Sequence, residues 1–397
     1  MFGNSSAFKI SRTPYIIFGP GKFRCLADLP LVKNARRIVL VIGGKSFEST
    51  PQYAWITKKL KQLRIEALNV RVSGEPSPEL IDNAVSEYRG FDIDVVVAVG
   101  GGSVIDAGKA ISAMFSKTES VIAYVEGVGE GKVHDGTKIP FIAVPTTAGT
   151  GSEATKNAVL GRVGSNGFKN SLRHENFTPD IALVDPELTL SCPLNVTASS
   201  GMDALCQLIG SYMSTSASPL TDALALSGIE SVRDSLIDVS TNEPGNIDKR
   251  AKMSYAALVS GITLANAGLC VDHGFASSIG ALFKIPHGVI CGIVLPETVR
   301  MSINELMSNE NESEYHLSKY ARLGEILTGE CSKNVEKACG ALIEFLKNLR
   351  IGLGLPGLGA FGVTEKDAEI IALKTSNKNN PVRLSTEILK NIVVNSL

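Results

Sequence analysis

The amino-acid sequence predicts an α/β domain with a parallel, Rossmann-like sheet over residues 1–188, followed by an all-α domain over residues 189–397. The first half alternates short apolar runs with polar, helix-like stretches, as strands covered by helices on both faces do. After about residue 188, apolar residues recur at helical spacing and no strand alternation returns. The length of 397 residues also favours two domains.

Apolar, largely β-branched runs that end in glycine or turn residues predict the strands of the first domain. They are RRIVLVIGG (36–44), FDIDVVVAVGGG (91–102), KIPFIAVPTT (138–147) and PDIALVDP (179–186). Between them, SPELIDNAVSEYRG (77–90) predicts a helix, with proline near its start and glycine at its end. Helical periodicity in the second domain covers residues 196–214, 218–240, 249–268 and 334–356.

Composition and charge exclude several classes of protein. Hydrophobic residues make up 44% and charged residues 20%, and the formal net charge of −1 indicates no partner among nucleic acids or acidic membranes. No run approaches 18 consecutive apolar residues and the N-terminus does not resemble a signal peptide, so no membrane span is expected. The seven cysteines are odd in number and lack CxxC spacing, which favours reduced thiols and a cytoplasmic location.

A glycine loop follows the second of these strands. Gly100, Gly101 and Gly102 come directly before Ser103, which we expect to open and cap a helix. Glycines let the backbone approach a ligand, and the free N–H groups at a helix start favour an anionic phosphate. Asp106, one turn further, is expected to face a ribose or an amide. The alternative is a tight turn that binds nothing, with a solvated carboxylate.

A threonine loop, residues 146–155, follows the next strand and contains TTAGTGSEAT. Hydroxyl groups and exposed amides at the carboxyl end of a parallel strand suit a phosphate or a sugar. The alternative is a polar loop with local capping bonds. Two such loops, each after a buried strand, together predict a dinucleotide site.

Two histidines lie 14 residues apart in GLCVDHGFASSIGALFKIPHGV. On one straight helix His273 and His287 would be about 21 Å apart, so sharing a ligand requires a break, for which Gly280 and Pro286 are candidates. Asp203 and Gln207 are four residues apart on one face of a predicted helix. These four residues are candidate ligands for Fe²⁺ or Zn²⁺. Taken singly, each histidine is also compatible with a packed helix position, and Asp203 with a helix-start charge.

Several motifs in one order make the sequence resemble the iron-containing (group III) alcohol dehydrogenase family. The resemblance implies a nicotinamide cofactor, a divalent metal, a small alcohol or aldehyde substrate and a homodimer. It implies metal ligation, and catalysis through the metal, by Asp203, His273 and His287. The motifs are GGGSVIDAGKA, PTTAGTGSEAT, DPELTLSCPLNVTASSGMDAL, HGFASSIGALFKIPHG and NNPVRLSTEIL.

The resemblance also implies cofactor contacts. Lys169 matches a lysine near the nicotinamide, although it is equally compatible with a surface lysine. The remaining positions belong to the strand ends and the two loops. They are Gly44, Gly101, Gly102, Ser103, Asp106, Thr146, Thr147, Thr150 and Ser152.

The sequence departs from the family at several positions. Gln207 stands where the family usually has a histidine ligand, so the amide oxygen is expected either to ligate weakly or to leave the place to water. Ser277 replaces a common histidine and Gly210 a common glutamate. Gly44 stands where many members have an aspartate that bonds the ribose 2′-hydroxyl, which favours NADP over NAD. Lys45 or Ser46 would then meet the 2′-phosphate.

We therefore expect a metal-dependent oxidoreductase that transfers a hydride between NAD(P) and a primary alcohol or its aldehyde. Two alternatives stay open. One is a dehydroquinate-synthase-like lyase that uses NAD and a metal. The other is a cofactor-binding protein that has lost the metal.

Overall fold

The computed structural model describes residues 7–164, 167–308 and 313–397. Contacts between Cα atoms divide the chain into two compact units. One unit holds Ser11–Arg162 and Lys169–Cys192, and the other holds Pro193–Leu397 with the described parts of the stretches before Ser11 and between Arg162 and Lys169.

Six parallel strands form the sheet of the first unit, in the order β1-β8-β5-β4-β2-β3. The four predicted strands are confirmed as β2, β4, β5 and β8, whereas β1, β3 and the separate pair β6 and β7 were not foreseen. The strands are β1 (Tyr15–Phe18), β2 (Arg37–Gly43), β3 (Glu66–Val72), β4 (Val95–Gly100), β5 (Phe141–Pro145), β6 (Asn157–Arg162), β7 (Phe168–Arg173) and β8 (Ile181–Val184).

Helices cover this sheet. The helix predicted over 77–90 is confirmed as α3, and the side chain of Ser77 caps it by accepting from the N–H of Leu80. The helices of the unit are α1 (Pro30–Lys33), α2 (Pro51–Gln62), α3 (Pro78–Tyr88) and α4 (Gly102–Met114).

The sheet register brings the two polar loops to one edge. Strand β4 is buried along its whole length, which explains its unbroken β-branched run. It pairs with β2 on one side and with β5 on the other, so that Gly100 lies opposite Pro145. Because all three strands are parallel, the segments that follow β2, β4 and β5 start at the same carboxyl edge. The chain order reverses between β2 and β4, which is where ligands bind in open α/β sheets.

From Pro193 onward the described residues of the second unit form helices joined by loops and contain no strand, which confirms the predicted class. The helices are α5 (Leu194–Met213), α6 (Pro219–Arg233), α7 (Leu236–Ser240), α8 (Ile247–Ala267), α9 (Val271–Leu282), α10 (His287–Ser308), α11 (Ser313–Thr328), α12 (Val335–Gly352), α13 (Ala368–Lys374) and α14 (Thr386–Asn395).

The predicted break between the two histidines is present. Helix α9 ends at Leu282 and α10 begins at His287, directly after Pro286. Proline is tolerated at a helix start because the N–H group that it lacks would have no partner in a preceding turn. Gly280 was wrong as a candidate break, because it lies buried inside α9.

No single helix in the described part of the chain is long and apolar enough to cross a membrane. Helices α8 and α9, bent by 99° relative to each other, meet the length and composition criteria only as a pair.

Candidate functional site

The glycine loop presents the start of helix α4. Strand β4 ends at Gly100, and Gly101 is the N-cap residue of α4, with no side chain accepting from the first-turn N–H groups. Ser103 is the second residue of the helix and not its cap, so that part of the prediction was wrong. The N–H of Val104 donates to the carbonyl of Gly101 at 2.9 Å, so among the described residues the N–H groups of Gly102 and Ser103 are the free donors at the positive end of this helix.

The threonine loop packs directly against the glycine loop. A Cβ atom built on Gly102 would lie 2.5 Å from Cγ2 of Thr150, and one built on Gly101 would lie 3.3 Å from Oγ1 of Thr147. The N–H of Thr146 donates to the carbonyl of Gly100 across 2.9 Å. The chain can approach this closely only because positions 101 and 102 have no side chain.

Asp106 and Ser152 bind each other. The hydroxyl of Ser152 donates to one oxygen of the Asp106 carboxylate, and the N–H of Val159 donates to the other at 3.0 Å. Burial raises the pKa of Asp106, although the nearby ammonium of Lys109 opposes this. Asp106 and Ser152, both predicted cofactor contacts, thus tie α4 to the threonine loop and β6.

Lys109 completes this network from the next turn of α4. Its buried ammonium donates to the hydroxyl of Thr155 at 2.9 Å and to the carbonyls of Ser152 and Asn157 at 3.0 and 2.7 Å. Burial lowers the pKa of Lys109 to about 8 and raises that of the neighbouring Glu153 to about 7. Buried charged groups on α4 and in the loop itself therefore hold the threonine loop in place.

Gly44 follows β2 at the same edge of the sheet. Its N–H donates to the carbonyl of Val72 at 3.2 Å, and the next two residues, Lys45 and Ser46, are exposed. Lys169 lies on β7, and its buried ammonium forms an ion pair with Glu75. The structure thus places Gly44 near the glycine loop along the sheet edge and gives Lys169 a carboxylate partner.

Three predicted metal ligands converge within the helical unit. Asp203 lies in the middle of α5, His273 in the first turn of α9 and His287 at the first residue of α10. Oδ1 of Asp203 is 3.4 Å from Nε2 of His273 and 3.6 Å from Nε2 of His287. The break between α9 and α10 is what allows both imidazoles to reach one carboxylate oxygen.

Cys291 is a fourth donor that the sequence analysis missed. One donor atom each from Asp203, His273, His287 and Cys291 lies within 4.8 Å of all the others. Cys291 is buried one turn after His287, and its Sγ atom is 3.8 Å from Nε2 of His273. The signal was available, because residues four apart share a helix face, as Asp203 and Gln207 do.

The side-chain oxygen of Gln207 points away from this cluster. The hydroxyl of Ser260, on α8, donates to Oε1 of Gln207 at 2.9 Å. The Gln207 side chain also lies close enough to the Asp203 carboxylate to lower the pKa of that carboxyl. An ionised carboxylate only accepts, so the amide NH₂ is the group that faces Asp203.

A second carboxylate orients His273. Nδ1 of His273 is 2.6 Å from Oδ2 of Asp272, which also accepts from the thiol of Cys206 at 2.9 Å. An ionised carboxylate requires the proton on Nδ1, so Nε2 is the nitrogen that faces Asp203 and Cys291, and a metal ion would take the place of any proton there. Spacing did not reveal Asp272, because adjacent helix residues do not normally share a face.

Electrostatics favour ionised donors. Burial alone would raise the pKa of Asp203, but the imidazoles of His287 and His273 and the amide of Gln207 hold it at about 2. Burial likewise opposes charge on Cys291, yet the neighbouring Cys206 thiol and the imidazole of His273 hold the pKa of its thiol well below the usual value.

This donor set fits a divalent first-row cation. Oδ1 of Asp203 is buried and has no hydrogen-bond partner among the described residues, although two imidazole nitrogens lie near it. A buried polar atom without a partner is costly unless something else binds it. Carboxylate oxygen, imidazole nitrogen and thiolate sulfur are the donors that Zn²⁺ and Fe²⁺ accept in proteins.

Comparisons with known protein families cover both units. The model described as "Iron-containing alcohol dehydrogenase" matches residues 13–186. The model described as "Fe-containing alcohol dehydrogenase family, C-terminal" matches residues 197–397.

Individual relatives extend over most of the chain. It is 31% identical over 360 residues to an NADPH-dependent butanol dehydrogenase of Clostridium saccharobutylicum, covering 89% of this chain and 86% of the relative. It is 29% identical over 365 residues to an NAD-dependent methanol dehydrogenase of Bacillus methanolicus, covering 90% and 92%. The crystal structure of a 1,3-propanediol oxidoreductase superposes with a TM-score of 0.87 at 27% identity, covering 98% of this chain and all of that one.

Proposed function

Because the chain belongs to the iron-containing alcohol dehydrogenase family, we propose that its two constellations are the cofactor and metal sites of one alcohol dehydrogenase. The protein is an NAD(P)-dependent oxidoreductase that interconverts an alcohol and an aldehyde with a divalent metal. We assign metal binding to Asp203, His273 and His287. The observation that carries this assignment is the unpartnered Oδ1 of Asp203, with two imidazole nitrogens within 3.6 Å.

Each residue has a defined task in this proposal. A bound divalent ion supplies Lewis acidity toward the oxygen of the alcohol or aldehyde. Asp203 contributes the negative charge that such an ion requires, and Gln207 holds that carboxylate in place. Asp272 keeps His273 in the tautomer whose Nε2 lone pair is free. The hydroxyl of Ser277 donates to the carbonyl of His273 at 3.0 Å, within its own helix.

We assign nucleotide binding to the first unit. The free N–H groups of the first turn of α4 are suited to the anionic pyrophosphate, and Gly101 and Gly102 permit its close approach. Thr147 and Thr150 stand beside them with hydroxyl groups. Asp106 and Ser152 act indirectly in this proposal, because their bonds hold the two loops together.

We assign the enzyme a preference for NADP over NAD. Gly44 provides no carboxylate to repel a 2′-phosphate, and the exposed Lys45 follows it. Gly44→Asp tests this preference, because a Cβ atom there would meet only Oγ of Ser73 at 4.0 Å and would fit without strain. We expect the KM for NADP to rise at least about 10-fold, which corresponds to 1.4 kcal/mol, with the KM for NAD unchanged or lower. Equal effects on both cofactors would contradict the assignment.

Turnover tests the assigned metal role. Purified protein is assayed with primary alcohols and NADP or NAD, and with aldehydes and the reduced cofactors, after addition of Fe²⁺ or Zn²⁺. We expect His273→Ala to abolish activity while the protein stays folded. A lyase would produce no net reduced cofactor, and a protein that had lost the metal would show no metal-dependent turnover.

We also propose a cytoplasmic homodimer. The cysteines, all of them among the described residues, form no disulfide bonds, as in a reducing compartment. Strand β1 is an edge strand, where Tyr15 is 70% exposed, and an uncovered edge can pair with a second copy. Light scattering after size-exclusion chromatography should give twice the mass of 42.0 kDa.

A further inference from the structure

We propose that the thiolate of Cys291, and not the amide oxygen of Gln207, is the fourth ligand of the metal site. This inference rests on the proposed metal-binding role of Asp203, His273 and His287. It assigns Gln207 a different task, which is to position the Asp203 carboxylate.

The geometry around Cys291 is that of a ligand. For metal–ligand bonds of about 2.0–2.3 Å in a tetrahedron, neighbouring donor atoms stand about 3.3–3.6 Å apart. The Sγ atom of Cys291 is 3.8 Å from Nε2 of His273, and the two imidazole nitrogens are 3.4 and 3.6 Å from Oδ1 of Asp203. All four donor atoms lie within 4.8 Å of one another. Small side-chain shifts suffice to close this set around one ion.

The backbone delivers Cys291 to this position. His287 and Cys291 are separated by four residues on α10, so both project from the same helix face. Helix α10 lies close to α5 there, since a Cβ atom on Gly292 would come within 3.1 Å of Cβ of Met202, next to Asp203. The same contact that brings His287 to Asp203 therefore brings Cys291 as well.

The surroundings of Gln207 oppose ligation by its amide. Its oxygen accepts from Ser260 at 2.9 Å, and its NH₂ group faces the Asp203 carboxylate. To bind an ion, Oε1 would have to give up its hydrogen bond from Ser260, and the amide NH₂ would have to turn away from Asp203. As observed, the amide links α8 to the metal-binding carboxylate of α5.

A thiolate changes the chemistry of the site. Asp203 and Cys291 together carry two negative charges, which match a divalent ion, whereas Asp203 and Gln207 carry one. Protons compete with the ion for the imidazole nitrogens and for the thiolate, so binding is coupled to pH. Sulfur also selects Zn²⁺, Fe²⁺ and Co²⁺ over Mg²⁺ and Ca²⁺, which prefer oxygen.

Cobalt substitution tests the inference without an activity assay. Full-length protein is stripped with a chelator and titrated with Co²⁺, while equilibrium dialysis measures stoichiometry and absorption spectroscopy follows the near-ultraviolet thiolate-to-cobalt charge-transfer band. We expect one Co²⁺ per chain and this band in the wild type. In Cys291→Ser the band should disappear. The affinity for Co²⁺ should also fall by more than about 100-fold, because loss of a residue that only hydrogen-bonds to a ligand lowers affinity by about 10- to 100-fold.

Two matched variants act as controls. Cys206→Ser removes a neighbouring buried thiol that bonds Asp272, and the band should persist. Gln207→Leu should also keep the band and bind with about 10- to 100-fold lower affinity, as expected for an outer partner. Circular dichroism checks the fold of each variant.

The outcomes separate the two proposals. If the wild type binds no Co²⁺, the assigned metal role fails and the inference fails with it. If the wild type binds one Co²⁺ without a sulfur band, or if the band survives in Cys291→Ser or vanishes in Cys206→Ser, the metal role stands and Cys291 is not the ligand.

Discussion

Replacing Gly288 with alanine should weaken metal binding while the protein stays folded. Gly288 follows His287 at the start of α10. A Cβ atom built on it would lie 3.2 Å from Cβ of Asp203 and 2.8 Å from the carbonyl carbon of Ser199, both on α5. A backbone carbonyl cannot rotate away as a flexible side chain can, so α10 itself has to move.

The size of this movement follows from the contacts. Ordinary contacts begin at 3.4 Å, so the start of α10 must shift by more than half an ångström. Metal sites hold their ligand distances within about 0.2 Å, and His287 is the residue next to the added methyl group. We therefore expect metal affinity to fall about 10- to 100-fold. Overpacking should also lower the free energy of unfolding by about 1–3 kcal/mol.

A competition titration against a chromophoric zinc chelator measures the affinity, and denaturant unfolding of metal-free protein measures the stability. Gly340→Ala is the matched control, because Gly340 is exposed on α12 and a Cβ atom there meets nothing within 4 Å. The control should keep its metal affinity and gain about 0.4–1 kcal/mol. If Gly288→Ala bound Zn²⁺ as tightly as the control, the close contact between α10 and α5 would not determine the geometry of the site.

Three further predictions concern the buried charges and the metal. Asp272→Asn should lower metal affinity about 10- to 100-fold in the same titration, because His273 loses the carboxylate that fixes its tautomer; unchanged affinity would remove Asp272 from the site. Glu153→Gln should be stabilised relative to the wild type by on the order of 3 kcal/mol at pH 8 but little at pH 4.5. Burial raises the pKa of Glu153 from 4.5 to about 7, so between these pH values the folded chain holds a proton that the unfolded chain has released, and the stability of the wild type falls as pH rises. Denaturant unfolding at both pH values measures this, and an equal difference between variant and wild type at pH 4.5 and pH 8 would contradict it. Removing the metal should lower the melting temperature, since an ion at 100 times its Kd contributes about 2.7 kcal/mol, and a chelator that left the melting temperature unchanged would contradict tight binding.

The sequence predicted those parts of the fold that depend on local pattern. The strands with unbroken apolar runs, β2, β4, β5 and β8, lie in the sheet where both faces are covered. Strand β3 was missed because it is an edge strand in which only Val70 and Val72 are buried. Strand β1 is the other edge strand, and none of its four residues is fully buried, unlike the four residues of β8.

The candidate site shows a different limit. Two pairs of residues are four apart in the sequence and are therefore expected to share a helix face, namely Asp203 with Gln207 and His287 with Cys291. Whether Gln207 or Cys291 directs its donor atom toward the cluster depends on the hydrogen bond from Ser260 to Gln207. Ser260 lies on another helix, so no local sequence pattern predicts this contact. Asp272 was also missed, because its contact with His273 arises from side-chain orientation and not from helical spacing.

The cross-links between the glycine loop and the threonine loop bear on the thermodynamics of nucleotide binding. Ser152, Asp106 and Lys109 join the two loops through buried hydrogen bonds, and Thr150 packs against Gly102. A site assembled in this way loses little conformational entropy when its ligand arrives, because its backbone donors are already held in position. If these loops bind the nucleotide as proposed, affinity for the pyrophosphate comes from preorganised amides. A substitution in the buried network would then weaken nucleotide binding by loosening the loops, without removing any contact to the nucleotide.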